Sequence, residues 1–274
     1  MAEIKIRNTL TDKKVGLVQK TLGPNVYGNL FKEGVDENIT AYIDYEMLQA
    51  INHQTKTKVA ILVEPRTVQQ NLYDWIEKNY SMFDMVMSHD KALCSVVANA
   101  KYYLVWPIIK IKEQNRKVYQ KTKNVSAIFS KRRMTEGHRL RHMVAKLFGK
   151  RIDLYGTGYN PIDDKVLGTA DYRYQVVIEN IKEGYVSEKA NDCFACGTVP
   201  IYWGSENSNI VDFYDKRGII FFKNLNELKH VFTNIISEED YKKRKKFIEI
   251  NFDKTKNLSL DKIYYDYGLK TFLD

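Results

Sequence analysis

An α/β fold of two Rossmann-like domains facing a cleft is the architecture this sequence predicts, and three observations predict it. Short apolar runs rich in β-branched residues alternate with amphipathic stretches along most of the 274 residues. The alternation occurs twice, in two stretches of similar size on either side of a polar segment at 108–124 rich in Lys, Gln and Asn. Runs such as Val59-Ala60-Ile61-Leu62-Val63 are apolar without alternation, as parallel strands covered on both faces must be. The predicted domains are 1–115 and 116–274, the second closed by C-terminal helices.

Residues 1–35 carry a weak pattern. Ile4-Lys5-Ile6 suits the start of a strand, and Gly23-Pro24-Asn25 and Gly28-Asn29 mark turns. A strand at 39–43, a short helix at 45–53 and a strand at 59–63 make a βαβ half. Glu64-Pro65-Arg66-Thr67 stops the last of these. Val68, Leu72, Trp75 and Ile76 then have helical spacing over 68–78. A strand at 83–87, a helix at 91–100 and a strand at 102–106 complete the first half. After the polar segment come a strand at 125–129, a helix at 138–148 and a strand at 152–156. The stretch 172–203 reads strand, loop, helix, strand. A short helix at 210–214, a strand at 219–222, a helix at 225–236 and two helical segments at 238–250 and 258–272 follow.

Composition narrows the function classes. Apolar residues make up 44% and charged residues 28%, which is globular. The formal net charge of +9 favours anionic partners without choosing among phosphorylated small molecules, nucleic acid and an acidic membrane. No basic start with a long apolar run behind it is visible, and no apolar run is long enough to span a membrane, so a cytoplasmic protein is expected. Three cysteines fit reduced thiols there. No Gly-x-Gly-x-x-Gly follows a strand and no phosphate loop of Walker type occurs, which disfavours dehydrogenase and P-loop readings.

Open α/β sheets bind ligands at the carboxyl ends of their strands. Glu179, Asn180, Tyr185, Glu188 and Lys189 surround such an edge. Glu188-Lys189 opens a helix, where free N–H groups and a lysine suit a diphosphate and a carboxylate suits sugar hydroxyls. The plainer reading is an exposed helix start capped by Ser187. Arg139 and Arg141 sit early in the preceding helix, with a geometry suited to phosphate, or merely on its solvated face. Glu64 ends a buried strand, where a partly desolvated carboxylate can act as a general base; a solvated loop glutamate is the alternative. His138 with His142, and Cys193 with Cys196, have spacings that could present metal ligands, but helix packing explains them more simply and no metal site is expected. The chain has no Asp-x-Asp, so phosphate charge must be met by Lys, Arg and helix dipoles. The basic run 242–246 and the apolar residues behind it suit either a weak peripheral membrane contact through 242–250 or a solvated helix face.

Three separated motifs recur in the order of the α-1,3/4-fucosyltransferases of glycosyltransferase family 10, which this chain resembles over about 125–223. They are Ile178-Glu179-Asn180, Gly184-Tyr185-Val186-Ser187-Glu188-Lys189, and Gly197-Thr198-Val199-Pro200-Ile201-Tyr202-Trp203-Gly204. Ile178 stands for the family's Phe and Ser187 for its Thr. Upstream, Phe129-Ser130, Arg139-Leu140-Arg141 and Ile152-Asp153-Leu154-Tyr155-Gly156 also fit, although Lys131 stands where the family has Asn. The resemblance implies a GT-B fold of soluble bacterial or viral type and an inverting transfer of fucose from GDP-fucose to a glycan hydroxyl in α-1,3-type linkage. It implies Asn180, Tyr185, Glu188 and Lys189 as donor contacts, Arg139 or Arg141 on the diphosphate, and no required cofactor, with Mn or Mg stimulation an open point. Glu64 is similar to the family's catalytic glutamate, with Pro65-Arg66 replacing the usual Asn after it. The competing functions are a transferase for another GDP- or UDP-sugar, and a basic nucleic-acid-binding protein. The second has no recognition module to support it.

Overall fold

The computed structural model describes residues 15–19, 30–103 and 108–273. The chain forms two compact units, Met1–Trp106 with Ser259–Asp274, and Pro107–Leu258. The division thus falls earlier than the 115/116 boundary read from composition, and the last helices join the first unit. The readings at 4–6, 23–25 and 28–29 and the far end of the 102–106 strand lie outside the described residues.

The first unit is built on six parallel strands: β1 (Val15–Val18), β2 (Phe31–Glu33), β3 (Ile39–Ile43), β4 (Thr57–Leu62), β5 (Met85–Ser88) and β6 (Ala100–Tyr102), in the order β2-β1-β3-β4-β5-β6. The register sets Tyr42 opposite Ala60 and Ala60 opposite Val86, which are buried together with Leu62, Tyr73 and Ile76. Such two-sided burial is why Val59–Val63 reads as an unbroken apolar run. Helix α1 (Gln70–Asn79) packs Leu72 and Ile76 inward, as the spacing predicts, together with Tyr73, whereas Val68 lies before the helix and is exposed. Helix α2 (Lys91–Val96) starts at an Asp90 cap and ends earlier than read, because β6 already begins at Ala100. The helix expected at 45–53 is a tight three-residue-per-turn helix over Asp44–Asn52. The chain's return closes this unit. Asp261 Oδ1 accepts the Leu30 N–H at 3.0 Å, and the Tyr264 ring lies 5.6 Å from Phe31 and 5.5 Å from Tyr103.

The second unit has five parallel strands: β7 (Lys123–Ile128), β8 (Asp153–Tyr155), β9 (Tyr172–Val177), β10 (Val199–Trp203) and β11 (Ile220–Phe222), in the order β11-β10-β9-β7-β8. Helices α3 (Glu136–Phe148), α4 (Glu188–Ala195), α5 (Leu225–His230) and α6 (Glu238–Thr255) complete it. Gly197, at φ +69° with Val118 side-chain carbon 2.7 Å from where a Cβ would stand, ends the α4 region and turns the chain into β10. The polar segment after 108 is docked, not a free linker. Asp192 Oδ1 accepts the Lys110 and Ile111 N–H groups at 2.7 and 3.2 Å, and Ile111 is fully buried. Lys121 Nζ donates to Ala170 O, Cys196 O and Thr198 Oγ1 within 2.9 Å, and burial pushes its pKa down to about 8. A charged side chain so placed is stable only because every acceptor is in reach, and composition alone does not show that.

In both units the second strand lies on one side of the first strand and the third strand on the other. This reversal opens a crevice at the carboxyl ends of the two diverging strands, where open α/β sheets take ligands. In the second unit these strands are β7 and β9, and in the first β1 and β3.

Candidate functional site

The second unit's crevice is assembled from the ends of β9, α3 and α4. Helix α3 begins close against the strand end. The Gly137 N–H donates to Asn180 O at 3.1 Å, and a Cβ on Gly137 would stand 1.7 Å from Glu179 O, so only glycine fits. One turn later Arg141, 3% exposed, donates from Nε to Ile178 O at 3.0 Å and from Nη2 to the same carbonyl and to Asn180 Oδ1 at 3.1 Å. Its Nη1 is left without a protein partner among the described residues. Burial lowers the Arg141 pKa, against the pull of Glu179 and Glu188. Arg139, two residues earlier, is exposed and its side chain has no hydrogen-bond or ion-pair partner among the described residues.

Helix α4 is fixed to the same strand end by a buried carboxylate. Glu179 is fully buried. Its Oε1 accepts the Ser187 N–H at 2.9 Å, and its Oε2 accepts from Ser187 Oγ at 2.6 Å and Lys189 Nζ at 3.2 Å. Ser187 Oγ accepts a second bond from Lys189 Nζ at 2.8 Å. Sequence places Glu179 among the donor contacts; in the structure both its oxygens are engaged by Ser187 and Lys189 and it is fully buried. It aims Lys189 and the start of α4. Glu188, beside it, pairs with Lys165 at 3.1 Å, and Lys165 reaches Asp192 at 2.6 Å. Burial would raise the Glu188 pKa, but Lys189 and Lys165 outweigh it and hold the carboxyl down at about 2. Tyr185 is buried, and its carbonyl accepts from Tyr202 Oη at 3.2 Å.

Of the residues singled out by sequence, Arg141 with Asn180, Glu179 with Lys189, and Glu188 with Lys165 are thus held by hydrogen bonds or ion pairs, Tyr185 is buried, and Arg139 has no such partner among the described residues. Sequence reasoning missed Lys165 and read His138 only as half of a pair with His142. Lys165 lies in a short helical turn, Lys165–Gly168, with no motif around it. His138 forms a capping box with Thr135: Nδ1 lies 2.7 Å from Thr135 Oγ1 and accepts the Thr135 N–H at 3.2 Å. Burial first, then Arg141, Arg132 and Lys189, push His138 down to about 4, so it is neutral at pH 7. Three cations therefore bear on one buried imidazole at the start of α3. That is a field suited to an anion, at a helix start that adds its own N–H groups. The spacing Thr135-x-x-His138 was the available signal.

The two pairs whose spacing could present metal ligands are otherwise employed. His142 lies 3.1 Å from Tyr159 Oη and 3.0 Å from Arg132 O, and Cys193 Sγ donates to Gln175 Oε1 at 3.0 Å. Burial pushes the Cys196 thiol up to about 12. Among the described residues no group of three or more His, Cys, Asp or Glu side chains is arranged to hold a metal ion. In α6, Lys242, Lys243, Arg244 and Lys245 pair with Glu238, Glu239, Asp240 and Glu249, while Tyr241 and Ile248 are buried. Of the apolar residues behind that run, Ile248 is buried and Phe247 and Ile250 are half-buried. No helix among the described residues is long and apolar enough to cross a membrane.

Glu64 belongs to the first unit, two residues beyond β4 and partly buried. Its carbonyl accepts from Tyr73 Oη at 3.0 Å, and its N–H faces Asp44 Oδ1 at 3.3 Å. Asp44 directly follows β3, and sequence reasoning passed over it.

Neither a family model nor a curated protein matches the chain. Solved structures do. An α1,3-fucosyltransferase determined with GDP superposes with a TM-score of 0.57 over 95% of this chain and 90% of its own, at 16% identity. TarM gives 0.58 over 86% of this chain and 55% of its own, at 12% identity, and a GtfA/B complex gives 0.53 at 11%. The fold is that of the GT-B glycosyltransferases. At these identities the likeness speaks for the fold, and the GT-B arrangement of two parallel α/β sheets is the one expected from the sequence.

Proposed function

We propose that the chain is an inverting glycosyltransferase that moves fucose from GDP-fucose to a hydroxyl of an acceptor glycan, in α-1,3-type linkage. The observation that carries this reading is the coincidence of two independent findings at one place. The motifs that resemble fucosyltransferases fall on the β9 edge and the start of α4, and there Arg141, Lys189 and the α3 N-terminus converge in a ligand crevice. The GDP-bound fucosyltransferase with the same fold supports it.

In this reading Arg141 is the diphosphate arginine, through its unengaged Nη1, and Lys189 supplies the second charge. Glu179 positions Lys189, and Asn180, Tyr185 and Glu188 complete the donor side. As the glycosidic bond to the leaving GDP breaks, charge grows on the diphosphate. Fixed cations stabilise that charge without reorganising, and losing one such group typically costs about 3–4 kcal/mol of barrier. Glu64 takes the proton of the attacking hydroxyl. No cation is required by this scheme, and Mn or Mg stimulation is a matter for assay.

TarM superposes with a similar TM-score, 0.58 against 0.57, over less of both chains. The same scaffold with another GDP- or UDP-sugar is therefore the second reading. A thermal-shift panel of nucleotide sugars separates the two: GDP-fucose is expected to give the largest shift, and a larger one from a UDP-sugar sinks the fucose assignment. Lys189→Ala is expected to lose both binding and transfer. Glu64→Gln should abolish transfer while retaining GDP-fucose binding, and near-full activity would remove Glu64 as the base.

A further inference from the structure

We propose that Asp44 is the positioning residue for Glu64: its carboxylate, projecting from the end of β3, holds the Val63–Glu64 main chain and so aims the neighbouring side chain. The proposal rests on the reading of Glu64 as the proton acceptor.

The geometry at the end of β4 is unusual for a strand that runs out into a loop. Three side chains from three other elements grip successive peptide groups. Tyr103 Oη donates to Leu62 O at 3.0 Å. Asp44 Oδ1 accepts the Val63 N–H at 2.8 Å and the Glu64 N–H at 3.3 Å. Tyr73 Oη, from α1, donates to Glu64 O at 3.0 Å. Tyr103 and Tyr73 are both fully buried. Pro65 follows and is buried too, and Arg66 is fixed over the Tyr73 ring by Asp90 and Glu77. A strand end ordinarily frays, and fixing one residue costs about 1–2 kcal/mol of backbone entropy. Here the fixation is spent on the loop that carries a partly buried glutamate.

Asp44 bears its own cost in this arrangement. Its backbone sits at φ +51°, the one non-glycine residue of positive φ among those described. Asp and Asn enter that region more readily than other side chains, but it remains sparsely used, and such residues gather at functional sites. The site also lies on β3, one of the two strands that diverge at the first unit's crevice. Burial raises the Asp44 pKa to about 6, against the Val63 and Glu64 N–H bonds, and the Glu64 charge raises it further. Gln69 also hydrogen-bonds it, and the phenols of Tyr73 and Tyr103 feel its charge. The two carboxylates are thus coupled: a negative Asp44 makes Glu64 a stronger base.

Two substitutions test this. Asp44→Asn keeps an acceptor oxygen and tolerates the backbone, but removes the charge. Asp44→Gly keeps the backbone, for which glycine is the least strained residue, and removes the acceptor, so folding is not the issue. Amide hydrogen exchange at Val63 and Glu64 should rise at least tenfold in Asp44→Gly and stay near wild type in Asp44→Asn. Transfer assays should show kcat falling on the order of 100-fold in Asp44→Gly with the donor KM unchanged, the scale of loss for a misplaced catalytic group. Asp44→Asn should recover most of kcat. Its acid limb in the pH profile should lie at lower pH than wild type, because removing a negative neighbour lowers the Glu64 pKa. The proposal is overturned if Asp44→Gly keeps both amide protection and kcat. It is equally overturned if protection is lost with kcat unchanged, which would make the contact structural only. Failure of the underlying reading looks different: there Glu64→Gln transfers normally while Asp44→Gly still loosens Val63 and Glu64.

Discussion

A single guanidinium decides how the β9 edge works. Arg141 spends Nε and Nη2 on Ile178 O and Asn180 Oδ1, so it serves as a brace for the strand end as well as a charge. A lysine has neither the planar fork nor the second donor pair, and the substitution is not conservative at such a site. Arg141→Lys is expected to lower the melting temperature by several degrees and to weaken GDP-sugar binding at least tenfold. Arg139→Lys should change neither, since Arg139 is exposed. Equal effects at the two positions, measured by thermal unfolding and donor titration, would contradict this division of labour. Sequence could not separate the two arginines. Both have helical positions suited to phosphate, and what distinguishes them is the rotation of α3 about its axis, which Gly137's close approach to Glu179 fixes. The same limit applies to Glu179, whose place in a motif is visible but whose complete burial is a property of the packed strand end.

At the scale of elements, the site depends on two helix starts meeting one strand end. Gly137→Ala would place a methyl group 1.7 Å from Glu179 O, and the obstacle is backbone, which cannot turn aside. We expect this substitution to cost about 1–3 kcal/mol of stability, the range for overpacking, and to reduce donor affinity more than the surface change Glu136→Ala at the adjacent position. Chemical denaturation and donor titration on the pair check it; equal affinities would show that α3 can back away from β9 without consequence. Elements of this kind were largely legible in the sequence. The strand at 39–43, the unbroken apolar run at 59–63, the spacing of Leu72 and Ile76 and the strand-loop-helix-strand at 172–203 all correspond to observed elements. β1 and β2 were not read, because Val15–Val18 and Phe31–Glu33 are too short to establish a period. An apolar stripe as short as that at 45–53 does not distinguish 3.0 from 3.6 residues per turn. Asp44 escaped notice because its importance lies in a positive φ and in two peptide groups some twenty residues away.

For the whole molecule, the main departure from the sequence reading is the path of the chain. Local patterns reveal what each segment becomes, and they are silent about which distant segment it joins. Residues 259–273 return to the first unit, where Asp261 meets Leu30 and Gly268 lies against Met85 and Met87. Truncation after Leu258 would strip these contacts and uncover the fully buried Tyr103. In calorimetry the truncated chain is expected to show a first-unit transition lowered by about 5 °C or more, a shift of this size corresponding to roughly 1–2 kcal/mol for a domain near 100 residues, with the second-unit transition unmoved. A single unshifted profile would mean that the segment decorates the first unit without completing it.

That returning segment also has a bearing on how the protein is made. The Leu30–Asp261 bond joins residues 231 positions apart, and all of the second unit is threaded between them. The second unit is uninterrupted in sequence and has everything it needs once residue 258 has been synthesised. The first unit, begun earliest, must wait for residues from the far side of its neighbour. Order of synthesis and order of completion are therefore reversed. During that interval β2, at one edge of the first sheet, lacks the ring of Tyr264 that packs against Phe31, and an uncovered strand edge is where nascent chains are most prone to stick to one another.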